Sequence, residues 1–150
     1  MREEKNIYAT HGERVLSSTE RADMSVLAPC SHEEANSRIM IHVYDASLRG
    51  CRRIKIRSND TDVVVLAISI APLLQLEELW VTYGSSKQVR NIPAHAIATS
   101  LGQDKASVLP MFHALTGCDT IQFHFLAEGE RRRLGMYGTC FQSLLLLLKG

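Results

Sequence analysis

Residues 51–70, CRRIKIRSNDTDVVVLAISI, constrain the fold more than any other stretch of the chain. From Arg52 to Arg57 the side chains alternate, with Arg53, Lys55 and Arg57 on one side and Ile54 and Ile56 on the other. A period of two specifies a strand with one buried face and one wet or ligand-facing face. A central parallel strand would be apolar on both faces, so this one belongs near an edge. After Ser58-Asn59 come Asp60-Thr61-Asp62 and then a run from Val63 to Ala71 in which every position is apolar or small. Periodicity alone does not assign such a run; a helix beginning near Thr61 is expected, because a strand has just ended. Two carboxylates ~4 Å apart repel by roughly 4 kcal/mol at an effective dielectric near 20. A cation or a raised pKa has to offset that.

The rest of the chain supplies the surroundings of this stretch. Ile7–Thr10 and Arg14–Ser17 read as two short strands with His11-Gly12 as the turn. Ser31, with Glu34 three residues on, fits a capping box and opens a helix near 32–49, with Ile39, Val43 and Ala46 on one face and Gly50 as its stop. Leu79–Tyr83 reads as a strand ended by Gly84-Ser85-Ser86. Pro93 suits position N1 of a helix over Ala94–Leu101, closed by Gly102. Asp104 caps a further helix, roughly Lys105–Leu115, which Pro110 is expected to kink or split. Thr116-Gly117-Cys118-Asp119 follows as a loop, and Phe141–Leu148 fits a short helix. This alternation of helix and strand argues for an α/β domain with a mostly parallel sheet flanked by helices. In such sheets ligands bind outside the carboxyl ends of the strands, where this reading puts Asp60.

The 150 residues suit a single domain, and 45% hydrophobic with 22% charged residues is ordinary globular composition. A net charge of +1 predicts no partner by itself. The cations are clustered, however, at Arg49, Arg52, Arg53, Lys55 and Arg57 and again at Arg131–Arg133, as phosphate contacts are, although a solvated face accounts for them equally well. No signal peptide is visible and no apolar run is long enough to span a bilayer, so an intracellular protein is expected, with the nucleus open as a compartment. The four cysteines form no CxxC pair and read as reduced thiols; Cys30-Ser31-His32 is a thin zinc candidate.

Four positions supply candidate carboxylates: Glu34, Asp60, Asp62 and Asp119. Each has a structural explanation of its own: Glu34 as half of a capping box, Asp60 and Asp62 as caps on the following helix, and Asp119 as a turn residue. Taken together, oxygen-only ligands of this kind suit Mg²⁺ or Mn²⁺, and two such ions can activate a water and stabilise a leaving oxygen on phosphate. His32 and His113 stand close enough in sequence to the acids to reach the same place. No GxSxG, Walker loop or GxGxxG is present. Trp80 and Tyr83 are expected at the core and its rim rather than as a base-stacking platform.

The ordered set Ser-His-Glu-Glu-Ala-Asn at 31–36, Asp-Thr-Asp-Val-Val-Val-Leu at 60–66 and Leu-Thr-Gly-Cys-Asp at 115–119 resembles the core of the PIN-like fold of flap endonucleases and XPG-type 5′-nucleases. It is more similar still to mobile-element-associated animal proteins that read HEEADTR, DTDVVVL and HALTGCDT. The resemblance runs from about Cys30 to Thr120 and leaves 121–150 as a tail without an assigned role. It implies a PIN-like domain, N-terminally incomplete, in which Glu34, Asp60, Asp62 and Asp119 hold Mg²⁺ or Mn²⁺. The implied activity is hydrolysis of phosphodiester bonds in nucleic acid, DNA before RNA, with Arg53, Lys55 and Arg57 on backbone phosphate.

Two departures bear on that activity. Asn36 stands where the pattern has a second acid, and an amide oxygen brings no charge to a cation. No strand ending in Asp precedes the Glu-bearing helix. The alternative reading is therefore a non-catalytic module that keeps the fold and binds nucleic acid or a protein. A sugar- or nucleotide-binding α/β domain is a third, without the glycine loop that would support it.

Overall fold

The computed structural model describes residues 5–20, 23–28, 35–84 and 89–116, with residues 115 and 116 described by their backbone alone. Strands β1 (Tyr8–His11) and β2 (Arg14–Ser17) pair antiparallel, with His11 opposite Arg14. Gly12 and Glu13 make the turn, one residue later than the sequence suggested, and Gly12 has φ +59°. Two-residue hairpin turns need such a left-handed value, which glycine adopts at no steric cost. Helix α1 (Ala35–Leu48) ends just before Gly50, whose φ of +85° suits a helix stop. The expected helix start at 31–34 lies outside the described residues, as do Cys30, Arg131–Arg133 and the helix expected over 141–148.

Strand β3 (Arg53–Ser58) leads through Asn59 and Asp60 into helix α2 (Thr61–Ile70), followed by a 3₁₀ turn at Ala71–Leu73. Strands β4 (Glu78–Tyr83) and β5 (Arg90–Pro93) come next, then helices α3 (Ala94–Leu101) and α4 (Gln103–Thr116). The run from Val63, ambiguous by periodicity, is helical as expected.

The fold is mixed α/β, and the second sheet has the order β3-β4-β5. β3 pairs parallel with β4, Ile56 opposite Val81, while β4 pairs antiparallel with β5, Val81 opposite Ile92. The expectation of a mostly parallel sheet is thus corrected: one of its two pairings is antiparallel. The physical reason is connection length. α2 carries the chain back between β3 and β4, as a parallel pair requires, whereas residues 84–89 are too few for a crossover and β5 folds straight back. β3 lies at the sheet edge among the described residues, as its one-sided polarity implied. Pro93 closes β5 and stands at the N-cap position of α3, without a capping bond, instead of occupying N1, which an edge strand tolerates because it needs no N–H there.

All four helices share one core with the inner face of this sheet. Ile56, Leu79 and Val81 meet Met40 and Val43 of α1, Val63, Leu66 and Ala67 of α2, Ala94 and Ala98 of α3, and Ala106 of α4. α4 continues through Pro110 without the expected split. Proline removes one helical hydrogen bond, but Ala106 is fully buried and Leu109 packs on the core, so tertiary packing holds the helix together.

The hairpin is tied to α1 by side chains. The Arg49 guanidinium sits 4.6 Å from the centre of the Tyr8 ring and pairs at 3.0 Å with Asp45, whose side chain is 2% exposed. Thr10 Oγ1 and His42 Nε2 are 3.3 Å apart. Among the described residues no helix is long and apolar enough to cross a membrane, and Cys51 is an exposed free thiol.

Candidate functional site

Asp60 stands two residues beyond the end of β3, in extended backbone with φ −105° and ψ 125°. Its Oδ1 accepts the backbone N–H of Asp62 at 2.9 Å, making it the N-cap of α2. An N-cap is what this position needs, because the first N–H groups of a helix have no partner within it. The backbone N–H of Asp60 is itself held by Ser58 Oγ at 3.1 Å, so the turn between strand and helix is closed from both sides. The capping explanation for Asp60 is therefore realised, and it engages only one of the two carboxylate oxygens.

The other oxygen reaches across the fold. Asn36, in the first turn of α1, donates from Nδ2 to Asp60 Oδ2 at 2.9 Å, over 24 residues of sequence. Asp62, in the first turn of α2, faces the far end of α4. His113 Nε2 lies 3.0 Å from Asp62 Oδ1, a contact spanning 51 residues, and the two side chains are 19% and 17% exposed. The start of α1, the end of β3, the start of α2 and the last turn of α4 thus come together around the Asp-Thr-Asp sequence.

Glu34 and Asp119 lie outside the described residues. In sequence they stand two residues before Asn36 and six after His113, and the chain spans at most ~3.6 Å per residue. Asn36 and His113 themselves contact Asp60 and Asp62. His32, the other histidine singled out from the sequence, also lies outside the described residues.

The donor chemistry bears on which ion such a place would hold. Two carboxylates and an amide are hard oxygen donors of the type Mg²⁺ and Mn²⁺ take. Among the described residues no three His, Cys, Asp or Glu side chains gather as a metal-holding group. Glu34 and Asp119, the other two carboxylates expected from the sequence, lie outside the described residues.

Arg53, Lys55 and Arg57 all project from the exposed face of β3, opposite the core, as alternation required. Arg53 is engaged by Glu77 and Glu78 at 3.6 and 3.7 Å, in contacts so exposed that they contribute little. Lys55 and Arg57 make no ion pair among the described residues. Sequence reasoning placed His113 within reach of the acids but did not identify Asp62 as its partner. Nor did it foresee Asn36 as a hydrogen-bond donor to Asp60, since nothing local in the sequence encodes a contact between two helix starts.

No protein-family model, curated protein sequence or solved structure matches the chain.

Proposed function

We propose that the chain is a PIN-like, nuclease-like domain that binds nucleic acid and hydrolyses its phosphodiester bonds with a divalent cation. The supporting observation is the meeting of α1, β3, α2 and α4 at Asp60 and Asp62, through the Asn36–Asp60 and Asp62–His113 contacts. Residues far apart in sequence are brought together at the carboxyl end of a strand, where α/β sheets hold their ligands.

In this reading Asp60, Asp62, Glu34 and Asp119 hold Mg²⁺ or Mn²⁺. The ion supplies a water activated for attack and charge stabilisation on the leaving oxygen. Arg53, Lys55 and Arg57 grip backbone phosphate and lead the strand, DNA in preference to RNA, along β3 towards Asp60. Asn36 fixes the Asp60 carboxylate against rotation, and His113 does the same for Asp62. Such supports matter because ligating carboxylates bind well only when they are pre-oriented. The sequence pattern also supports descent from a mobile element.

A second reading is a non-catalytic nucleic-acid-binding module with the same fold. It is favoured by the identity of residue 36: an amide where the pattern has an acid removes a negative charge from beside Asp60. The experiment that decides is Mn²⁺-dependent cleavage of flap and single-stranded DNA by the chain and by Asp60→Asn. Cleavage by the chain that is lost in the variant supports hydrolysis. Binding without cleavage in both leaves the second reading, and neither binding nor cleavage removes both.

A further inference from the structure

The chain's single tryptophan stands apart from its core. The inner face of the β3-β4-β5 sheet contributes Ile54, Ile56, Leu79, Val81 and Ile92 to the packed interior, and among the described residues the outer face contributes nothing to it. Register defines that outer face row by row. Arg53 stands opposite Glu78, Lys55 opposite Trp80, and Arg57 opposite Thr82; Pro93 and Asn91 of β5 complete the last two rows. Three cations thus face two carboxylates, Glu78 and the preceding Glu77, both of them beside Arg53, with the indole in the middle row.

Trp80 is partly exposed and held in place. Its Nε1–H donates to Glu78 Oε2 at 2.9 Å, and the His95 ring meets it edge to face, 5.4 Å between centroids and 67° between planes. The indole polar group is therefore satisfied and the ring orientation fixed. A large aromatic of this kind, left out of the core beside a column of cations, has the two elements that recognise unpaired nucleotides: a π surface for a base and positive charge for its phosphates. Side chains two apart on a strand are separated by ~6.6 Å, so Arg53 to Arg57 covers ~13 Å. Arg53 has carboxylate neighbours, so Lys55 and Arg57, at the end nearer Asp60, carry most of the phosphate contact.

We propose that the outer sheet face is a single-strand binding platform, in which a base stacks on Trp80 while Lys55 and Arg57 hold the adjoining phosphates. The proposal rests on the reading of this face as a nucleic-acid surface and adds the ligand class and the stacking residue. A duplex has no free base for the indole, and an acidic peptide would satisfy the cations while giving the ring nothing to stack on.

Because Trp80 is the sole tryptophan, its fluorescence reports on this face alone. The chain is titrated in low salt with an oligothymidylate of about ten nucleotides, a duplex of equal length and a polyglutamate peptide. Fluorescence and the anisotropy of labelled ligand are followed together. Saturable quenching by the single strand is expected, with binding weakened about 5- to 100-fold in Trp80→Leu and largely retained in Trp80→Phe. Lys55→Gln with Arg57→Gln should lower the salt dependence of binding by about 0.7 per residue. Single-strand binding that leaves the fluorescence of the unaltered chain unchanged overturns the platform but not the nucleic-acid reading. So does binding of duplex or peptide as tight as that of the single strand. No binding of any nucleic acid overturns both.

Discussion

Substitutions at Asp60 separate its structural role from its chemical one. Asp60→Ala removes an N-cap bond, which contributes about 1 kcal/mol, and an exposed hydrogen bond to Asn36, which contributes about 0.5 kcal/mol. The expected loss is about 1.5 kcal/mol, or about 3–6 °C in Tm for a chain of this size. Asp60→Asn keeps an oxygen to cap α2, and Asn caps as well as Asp. It loses the favourable charge at the helix N-terminus, about 0.5 kcal/mol, and the oxygen that accepts from Asn36, up to about 0.5 kcal/mol more where the Asn36 amide does not turn over, and so shifts Tm by about 1–4 °C. Under the proposed hydrolytic function, metal-dependent cleavage should be lost in both, because neither a methyl nor an amide brings charge to the cation. Urea denaturation followed by far-UV circular dichroism, beside the cleavage assay, measures the two effects independently. A double-mutant cycle with Asn36→Ala should return a coupling of about 0.5 kcal/mol. An Asp60→Ala protein as stable as the parent would refute the capping assignment. An Asp60→Asn protein as unstable as Asp60→Ala would show that charge, and not cap geometry, holds the turn.

Three other outcomes are expected. Burial lowers the pKa of His42 below the usual 6.5, with Asp45 opposing that shift and Arg49 adding to it. The unfolded chain therefore takes up this proton first. The stability contribution is complete above pH ~6.5 and is lost as pH falls through the lowered folded value; denaturation midpoints between pH 8 and 5 should show the decline, and His42→Gln should flatten it. Leu79→Ala, at a side chain with no exposure in the sheet centre, should cost about 3 kcal/mol by urea denaturation; a loss under about 1 kcal/mol would mean that the core collapses around the gap. Arg49→Gln takes the guanidinium from the nearly buried Asp45 carboxylate and from the Tyr8 ring. It should cost about 2 kcal/mol, moderated by the exposure of Arg49, and the cost should shrink in an Asp45→Asn background.

Local signals located most of the described elements. Alternation over residues 52–57, the Gly50 and Gly102 stops and the capping acid at Asp60 each act within a few residues, so β3, α1, α2 and α3 were legible. β5 was not, because Arg90-Asn91-Ile92-Pro93 is short and shows no period; it is a strand only because β4 offers it a paired edge. Of the two outcomes expected at Pro110, the split does not occur, since a local rule about proline takes no account of the packing along α4. At the candidate site, nearest-neighbour chemistry alone set the cap on α2 and the polarity of β3. The pairing of Asn36 with Asp60, of His113 with Asp62, and of Lys55 with Trp80 across the sheet came only with the tertiary structure. Such contacts join residues tens of positions apart, and what brings them together is burial of the shared core.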